Sequence, residues 1–310
     1  MNEKGNDFSI PVLFIIYKRA DTAAQVFDKI RSRCPTSLYV AANGPKDESE
    51  VELCNSTREL IKKIDWECNV HLLFRDEHLD LKNSVSSAID WFFQENEMGI
   101  ILEDDCVPDL SFFDYCEKLL GYYKNDSRVM MICGTNYLFN RYLMEDSFFF
   151  SVYYPIWGWA TWKRAWGKYD IDMKEWPNIK ERGDLSLFLP NKKMIQYFTN
   201  IFDQTYHGYI NTWDIQWVYS CIKEHGLAIC PKYNLISNVG MVGTHADGVS
   251  DPFLFMPTQQ FDVSRIIIPK VVLPNLKINS YAFDIIIKKS IRLKCKDIAY
   301  RILKQMGIKE

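Results

Sequence analysis

Apolar, β-branched runs alternate with stretches of helical spacing from residue 10 to residue 136, and this rhythm limits the fold more than any other feature. "IPVLFIIY" (Ile10–Tyr17) is continuous and uncharged, as a parallel strand covered on both faces requires. "KRADTAAQVFDKIRSRCP" follows with apolar residues at helical intervals and Asp21 or Thr22 as its cap. "SLYVAANGP", "NVHLLFRD", "MGIILEDD" and "VMMICGTN" repeat the strand. Residues 48–64, "SVSSAIDWFFQEN" and "LSFFDYCEKLLGYYKND" repeat the helix. The alternation predicts βαβ units with right-handed crossovers: an α/β chain with a mostly parallel central sheet flanked by helices. Open sheets of this kind take ligands at the carboxyl ends of their strands.

After Tyr137 the rhythm breaks. "FFFSVYYPIWGWATWKRAWGKYD" is dense in aromatics and ends with helix-like spacing. "KKMIQYFTNIFDQTYHGY" and "TWDIQWVYSCIKEHG" read as helices, the second with Gly226 as its C-cap. "LAICPKYNLISNVG" reads as strand or loop, and "GMVGTHADGVSDP" as a glycine-rich loop. From Tyr281 to Met306, Ile287, Ile291, Cys295, Ile298, Ile302 and Met306 recur at helical spacing beside Lys288, Lys289, Arg292, Lys296, Arg301 and Lys304. Such a basic amphipathic helix either lies on an anionic membrane or docks on the domain with a solvated basic face. The chain divides into a main domain over 1–260, with halves at about 8–136 and 137–260, and an extension over 261–310.

A net charge of −3 removes nucleic acid as the main partner, since no basic field covers the chain. The nine cysteines form no CxxC pair, which argues against a zinc site and reads as reduced thiols. The start lacks an Arg-rich or secretory leader, and no apolar run approaches the roughly 20 residues of a membrane helix. The expectation is a cytoplasmic protein, with a peripheral place on the inner face of the cell membrane open through the basic helix.

"IILEDDCVPDLSFF" drives an apolar strand into three carboxylates, Glu103, Asp104 and Asp105. Packed like charges repel, and a buried carboxylate needs a positive partner. The triplet sits at the end of the fourth strand, at the rim where ligands bind. Carboxylates there suit Mg²⁺ or Mn²⁺, which are bound by one or two of them plus substrate phosphates. Neither GxxxxGK[ST] nor GxGxxG occurs, so a P-loop and a dinucleotide fingerprint are both absent.

"IILEDDCVPDLSFFDYCEKLL" resembles the glutamate–aspartate–aspartate segment of the N-acetylglucosaminyltransferase I family and related bacterial transferases. The resemblance extends through "PVLFIIYKRAD", "FRDEHLDLKNSVSSAIDWFF", "YPIWGWATWKRAW" and "TWDIQW", over roughly residues 10–250. It implies the GT-A fold and a metal-dependent, inverting transfer of sugar, hexosyl or N-acetylhexosaminyl, from a nucleoside-diphosphate donor to a glycan or lipid-linked acceptor. It implies Asp105 as ligand of Mn²⁺ or Mg²⁺, Asp104 on the ribose and Glu103 on the donor sugar. Arg19 and Lys82 fall near the nucleotide or its phosphates. Asn43 stands where the family often has a base-reading aspartate, so a UDP-sugar is favoured without being fixed. Asp214 becomes the general base that takes the acceptor's proton; the family's second acid at this point is Ile215 here. His245, in "GTHADG", is a candidate for the metal or diphosphate, in a loop whose glycines allow closure.

Trp159 is expected to touch the sugar, with Gly158 permitting close backbone approach. Trp162 and Trp166 read as core, and Trp213 as acceptor-pocket wall or packing. Two other readings remain open. A sugar nucleotidyltransferase on a similar sheet would want glycines where "YKRADTAAQ" has none. A non-catalytic carbohydrate-binding scaffold would not need the acidic triplet and Asp214.

Overall fold

The parallel half of the sheet follows the order of the apolar runs. β1 (Val12–Ile16) pairs in parallel with β2 (Ser37–Ala42), and β2 with β3 (Asn69–Phe74). β4 (Met98–Glu103) pairs in parallel with the other edge of β1. β1 is buried along its whole length, because α1 (Ala20–Arg33) and α3 (Leu81–Glu95) bury their apolar faces in the same core. The computed structural model describes residues 8–138, 142, 144–240 and 251–287.

The stretch 48–64 is not one helix. It is α-helical at Val51–Arg58 (α2), with 3₁₀ turns at Glu48–Glu50 and Glu59–Lys63. Beyond β4, a short strand β5 (Cys106–Pro108) leads to α4 (Leu110–Tyr122). Asp109 caps α4 by accepting from Ser111 N at 2.9 Å.

The second half departs from the expected pattern. β6 (Val129–Cys133) does not sit beside β4. Between them runs β8 (Trp159–Trp162), antiparallel to both, taken from the aromatic stretch ahead of its helix-like end. β7 (Phe148–Ser151) and β9 (Leu227–Pro231) complete eight strands in the order β3-β2-β1-β4-β8-β6-β9-β7. β10 (Ile236–Asn238) pairs antiparallel with β5. The helices of this half are α5 (Lys163–Trp166), α6 (Trp176–Arg182), α7 (Lys192–Tyr206) and α8 (Asp214–Lys223). The left-handed residue after α8 is His225 (φ 52°) rather than Gly226, whose bare Cα instead lets Met130 pack closely. The architecture is α/β, with a large, mostly parallel central sheet flanked by helices.

One hydrophobic core runs from Phe8 to Phe283 and so includes part of the extension. Asn279 accepts from Ser151 Oγ and Val152 N, both at 2.8 Å, and donates to Phe150 O at 3.0 Å, which fastens residues 276–287 to β7. The rest of the basic helix, 288–310, lies outside the described residues. The eight cysteines among the described residues form no disulfide. No helix among them is long and apolar enough to cross a membrane.

Candidate active site at the carboxyl ends of β1 and β4

β1 and β4 end side by side, with Ile15 opposite Glu103, so the residues that follow each strand meet at one rim. From β1 come Tyr17, Lys18 and Arg19; from β4 come Glu103, Asp104 and Asp105. The positive partner that the triplet demands is in the chain itself. Arg19 Nη2 hydrogen-bonds Asp104 Oδ1 and lies 3.0 Å from Asp105 Oδ2. Burial works to lower the Arg19 pKa, but the two carboxylates outweigh it and hold the guanidinium protonated. Asp104 is buried, and Tyr17 N donates to its other oxygen at 3.3 Å.

One guanidinium does not balance this rim. Burial pushes Asp104 up to about 6, against the pull of Arg19. Burial also pushes Glu103 up to about 8, and the charges of Asp105, Asp104 and Asp214 add to the rise. Among the described residues Arg19 is the arginine that pairs with Asp104 and Asp105. A surplus of hard oxygen donors at a rim is the environment that a divalent cation stabilises. Asp105 fits such an ion best, since its side chain is 17% exposed against 5% for Asp104. Among the described residues no cluster of three or more His, Cys, Asp or Glu is poised around one point. Gly240 presses on the Asp105 carboxylate so closely that a Cβ there would strike it. His245, five residues on, lies outside the described residues.

A cavity of about 270 Å³ opens beside the triplet, lined among others by Tyr17, Arg19, Asn43, His78, Glu103 and Asp104. Asn43 shapes it rather than presenting free polar atoms. Its Oδ1 accepts from Gly44 N and Leu79 N, both at 3.0 Å, and its Nδ2 donates to Leu79 O at 2.8 Å. A Cβ on Gly44 would run into the Glu77 backbone, so the 43–44 and 77–79 segments close together as one wall. His78 Nδ1 lies 3.2 Å from Tyr17 Oη, with the rings 5.5 Å apart. Glu50 anchors the Tyr17 side, accepting from Lys18 Nζ, Tyr17 Oη and Lys46 N; the Lys18 bond leads in holding its carboxyl down at about 2. Tyr17, Glu50 and His78 were missed in the sequence. Tyr17 had a signal, since it follows a fully buried strand and must surface at the rim.

Asp214 is the first residue of α8, and Thr212 Oγ1 hydrogen-bonds its carboxylate. Burial leads in raising Glu103 and the phenols of Tyr153, Tyr169 and Tyr197, and the charge of Asp214 adds to each rise, so Asp214 lies within electrostatic reach of Glu103. The structure brings Glu103, Asp104, Asp105 and Arg19 together at the rim. It does not bring Trp159 there. Trp159 is 1% exposed, stacked on Trp213 at 5.7 Å and packed against Trp217 and Trp166, so the expected sugar contact is a core residue. Gly158 (φ 58°) leaves room for Ile236, not for a ligand. Lys82 also stands apart, lining a second cavity on the far side of the first turn of α3.

No family model matches the chain, and no curated protein matches it. Among solved structures, an active-site mutant of the galactosyltransferase LgtC is similar at 10% identity over 69% of this chain and 70% of that one, with a TM-score of 0.37. The bifunctional glycosyltransferase WbbM is similar at 13% identity over 48% of this chain and 26% of that one, with a TM-score of 0.27. HddC from Yersinia pseudotuberculosis is similar at 13% over 40% and 57%, with a TM-score of 0.28. At these values the functional reading rests on the site, not on the likenesses.

Proposed function

We propose that the protein is an inverting glycosyltransferase with a GT-A type fold, using a nucleoside-diphosphate sugar and a divalent cation. The observation that carries this reading is the meeting of the β1–β4 rim, with its cavity and surplus carboxylates, and a second carboxylate, Asp214, delivered by α8. The nucleoside fits the cavity between Tyr17, His78 and the Asn43 wall, with Lys18 and Arg19 at its phosphate end. A UDP-sugar is the favoured donor. Mn²⁺ or Mg²⁺, held by Asp105, supplies charge neutralisation of the diphosphate leaving group when bound.

The chain's own residues supply the rest. Glu103 accepts hydrogen bonds from donor-sugar hydroxyls. Thr212 holds Asp214 in orientation, and Asp214 takes the proton of the acceptor hydroxyl as its oxygen bonds the anomeric carbon. The bond from that carbon to the diphosphate breaks in the same displacement, so configuration inverts without a covalent sugar–enzyme intermediate. The acceptor is a glycan or lipid-linked glycan. "YKRADTAAQ" places Tyr17, Lys18 and Arg19 where a nucleotidyltransferase needs a glycine-rich phosphate loop, which favours transfer over nucleotide-sugar synthesis.

Release of the leaving nucleotide (UDP, GDP or dTDP, and CMP from a CMP-sugar), assayed across UDP-, GDP-, dTDP- and CMP-sugars with Mn²⁺, tests the reading. Asp214→Asn is expected to lower turnover by about 10²–10⁴-fold with nucleotide affinity retained. Near-wild-type turnover in Asp214→Asn would remove the base assignment.

A further inference from the structure

A second cavity, of about 180 Å³, lies between the first turn of α3 and the start of α8. Lys82, Asp172, Thr205, Asn211 and Gln216 contribute to its lining. Its polar groups are not matched to one another. Gln216 is 2% exposed, and its Oε1 is buried with no hydrogen-bond partner. A buried acceptor left in this state has given up its bonds to water without replacement, a cost that a donor from a ligand removes. Lys82 forms no ion pair among the described residues. Thr205 is engaged with Ile201 O at 2.9 Å, and Asp172 lies 3.9 Å from Lys174. The cavity thus offers a ligand the Lys82 cation, whose charge is felt by Asp80 but which makes no close ion pair among the described residues, and a buried acceptor without a donor.

The position gives these groups a use. Asn211 Oδ1 accepts from Lys82 N at 3.3 Å, which joins the two sides of the cavity. Asn211 is three residues from Asp214, so the lip of the cavity lies within about 11 Å of the proposed base along the chain. Thr212, between them, hydrogen-bonds Asp214. The α3 side carries Leu81 into the nucleoside cavity and Lys82 into this one, so the two cavities flank a single helical turn.

We infer that this cavity is an acceptor subsite for an acidic sugar unit, whose carboxylate or phosphate meets Lys82 and whose hydroxyl donates to Gln216 Oε1. The inference rests on the transferase reading for its word "acceptor", but the site itself does not depend on turnover. The volume admits a group of about one sugar ring. A unit held here leaves the next hydroxyl of the chain free to reach Asp214.

The test is binding to the full chain, followed by ligand-observed NMR with glucuronate, glucose 6-phosphate and glucose as probes. Glucuronate or glucose 6-phosphate should bind, and whichever is tighter names the source of the oxyanion. Lys82→Gln should weaken it by about tenfold or more, and uncharged glucose should bind more weakly by a similar factor. Gln216→Met, similar in size but without the acceptor, should weaken both acids. If that variant fails to fold, the comparison of wild type with Lys82→Gln decides. Absence of binding by both acids, or equal affinity in Lys82→Gln, overturns the subsite. UDP titrated into the same samples separates the two claims. UDP binding without acid binding overturns the subsite alone. Acid binding that depends on Lys82 upholds the subsite even where UDP fails to bind and the transferase reading falls.

Discussion

Arg19 is the residue on which the rim turns. Among the described residues it is the one guanidinium in contact with Asp104 and Asp105, and Asp104 is buried. Removing one partner of a buried pair strands the other, so Arg19→Ala is expected to destabilise the metal-free protein by about 3–5 kcal/mol at pH 8, read by denaturant unfolding. The loss should shrink at pH 5, where a carboxyl pushed up to about 6 is protonated and needs no guanidinium. Glu103 gives the opposite signature. Its folded pKa of about 8 lies above its ordinary value of 4.5, so between those values the folded state holds a proton that the unfolded state has released. The metal-free protein therefore loses stability through Glu103 as pH rises from about 4.5 to about 8. Glu103→Gln should remove that slope and stabilise the protein by about 1–3 kcal/mol at pH 8. Thermal melts over that range, with Mn²⁺ absent, check both statements; a slope unchanged in Glu103→Gln would contradict them.

At the scale of elements, β8 separates what periodicity reveals from what it hides. β1, β2 and β4 were legible because strands covered on both faces must be apolar throughout, and their sequences are. Trp159, Trp162 and Trp166 share the three- to four-residue spacing of a helix, yet Trp159–Trp162 is a strand. Its partners decide this: β4 and β6 hold it on both edges, and Trp213 and Trp217 of the α8 region, more than fifty residues away in sequence, cover Trp159. No local pattern carries that information. The site divides in the same way. The acidic triplet and Asp214 were readable because each lies at the end of an element with a clear pattern, whereas His78 reaches the cavity through the packing of the 77–79 segment on Gly44, and Glu50 acts only through its bonds to Tyr17 and Lys18. Trp159 supplies the prediction at this scale. Trp159→Leu should lower stability by about 3–5 kcal/mol, as for other large core truncations, while donor KM stays within about twofold. A sugar-contacting tryptophan would instead raise KM and leave the melting temperature nearly unchanged.

The whole molecule is arranged so that both halves end at one place. The parallel half supplies the cavity beside Asn43 and the triplet, and the second half supplies Asp214, with the extension fastened through Asn279 to β7. Arg19 is already engaged by Asp104 and Asp105, so a nucleoside diphosphate brought to this rim adds negative charge that a divalent cation would relieve. Nucleotide and metal should thus bind cooperatively, each weak without the other. Calorimetric titration of the full chain with UDP, with and without Mn²⁺, measures this directly. Saturable binding that requires Mn²⁺ and falls by about tenfold or more in Asp105→Asn is the expected result. No binding of UDP, GDP, dTDP or CMP with Mn²⁺ or Mg²⁺ would contradict the account.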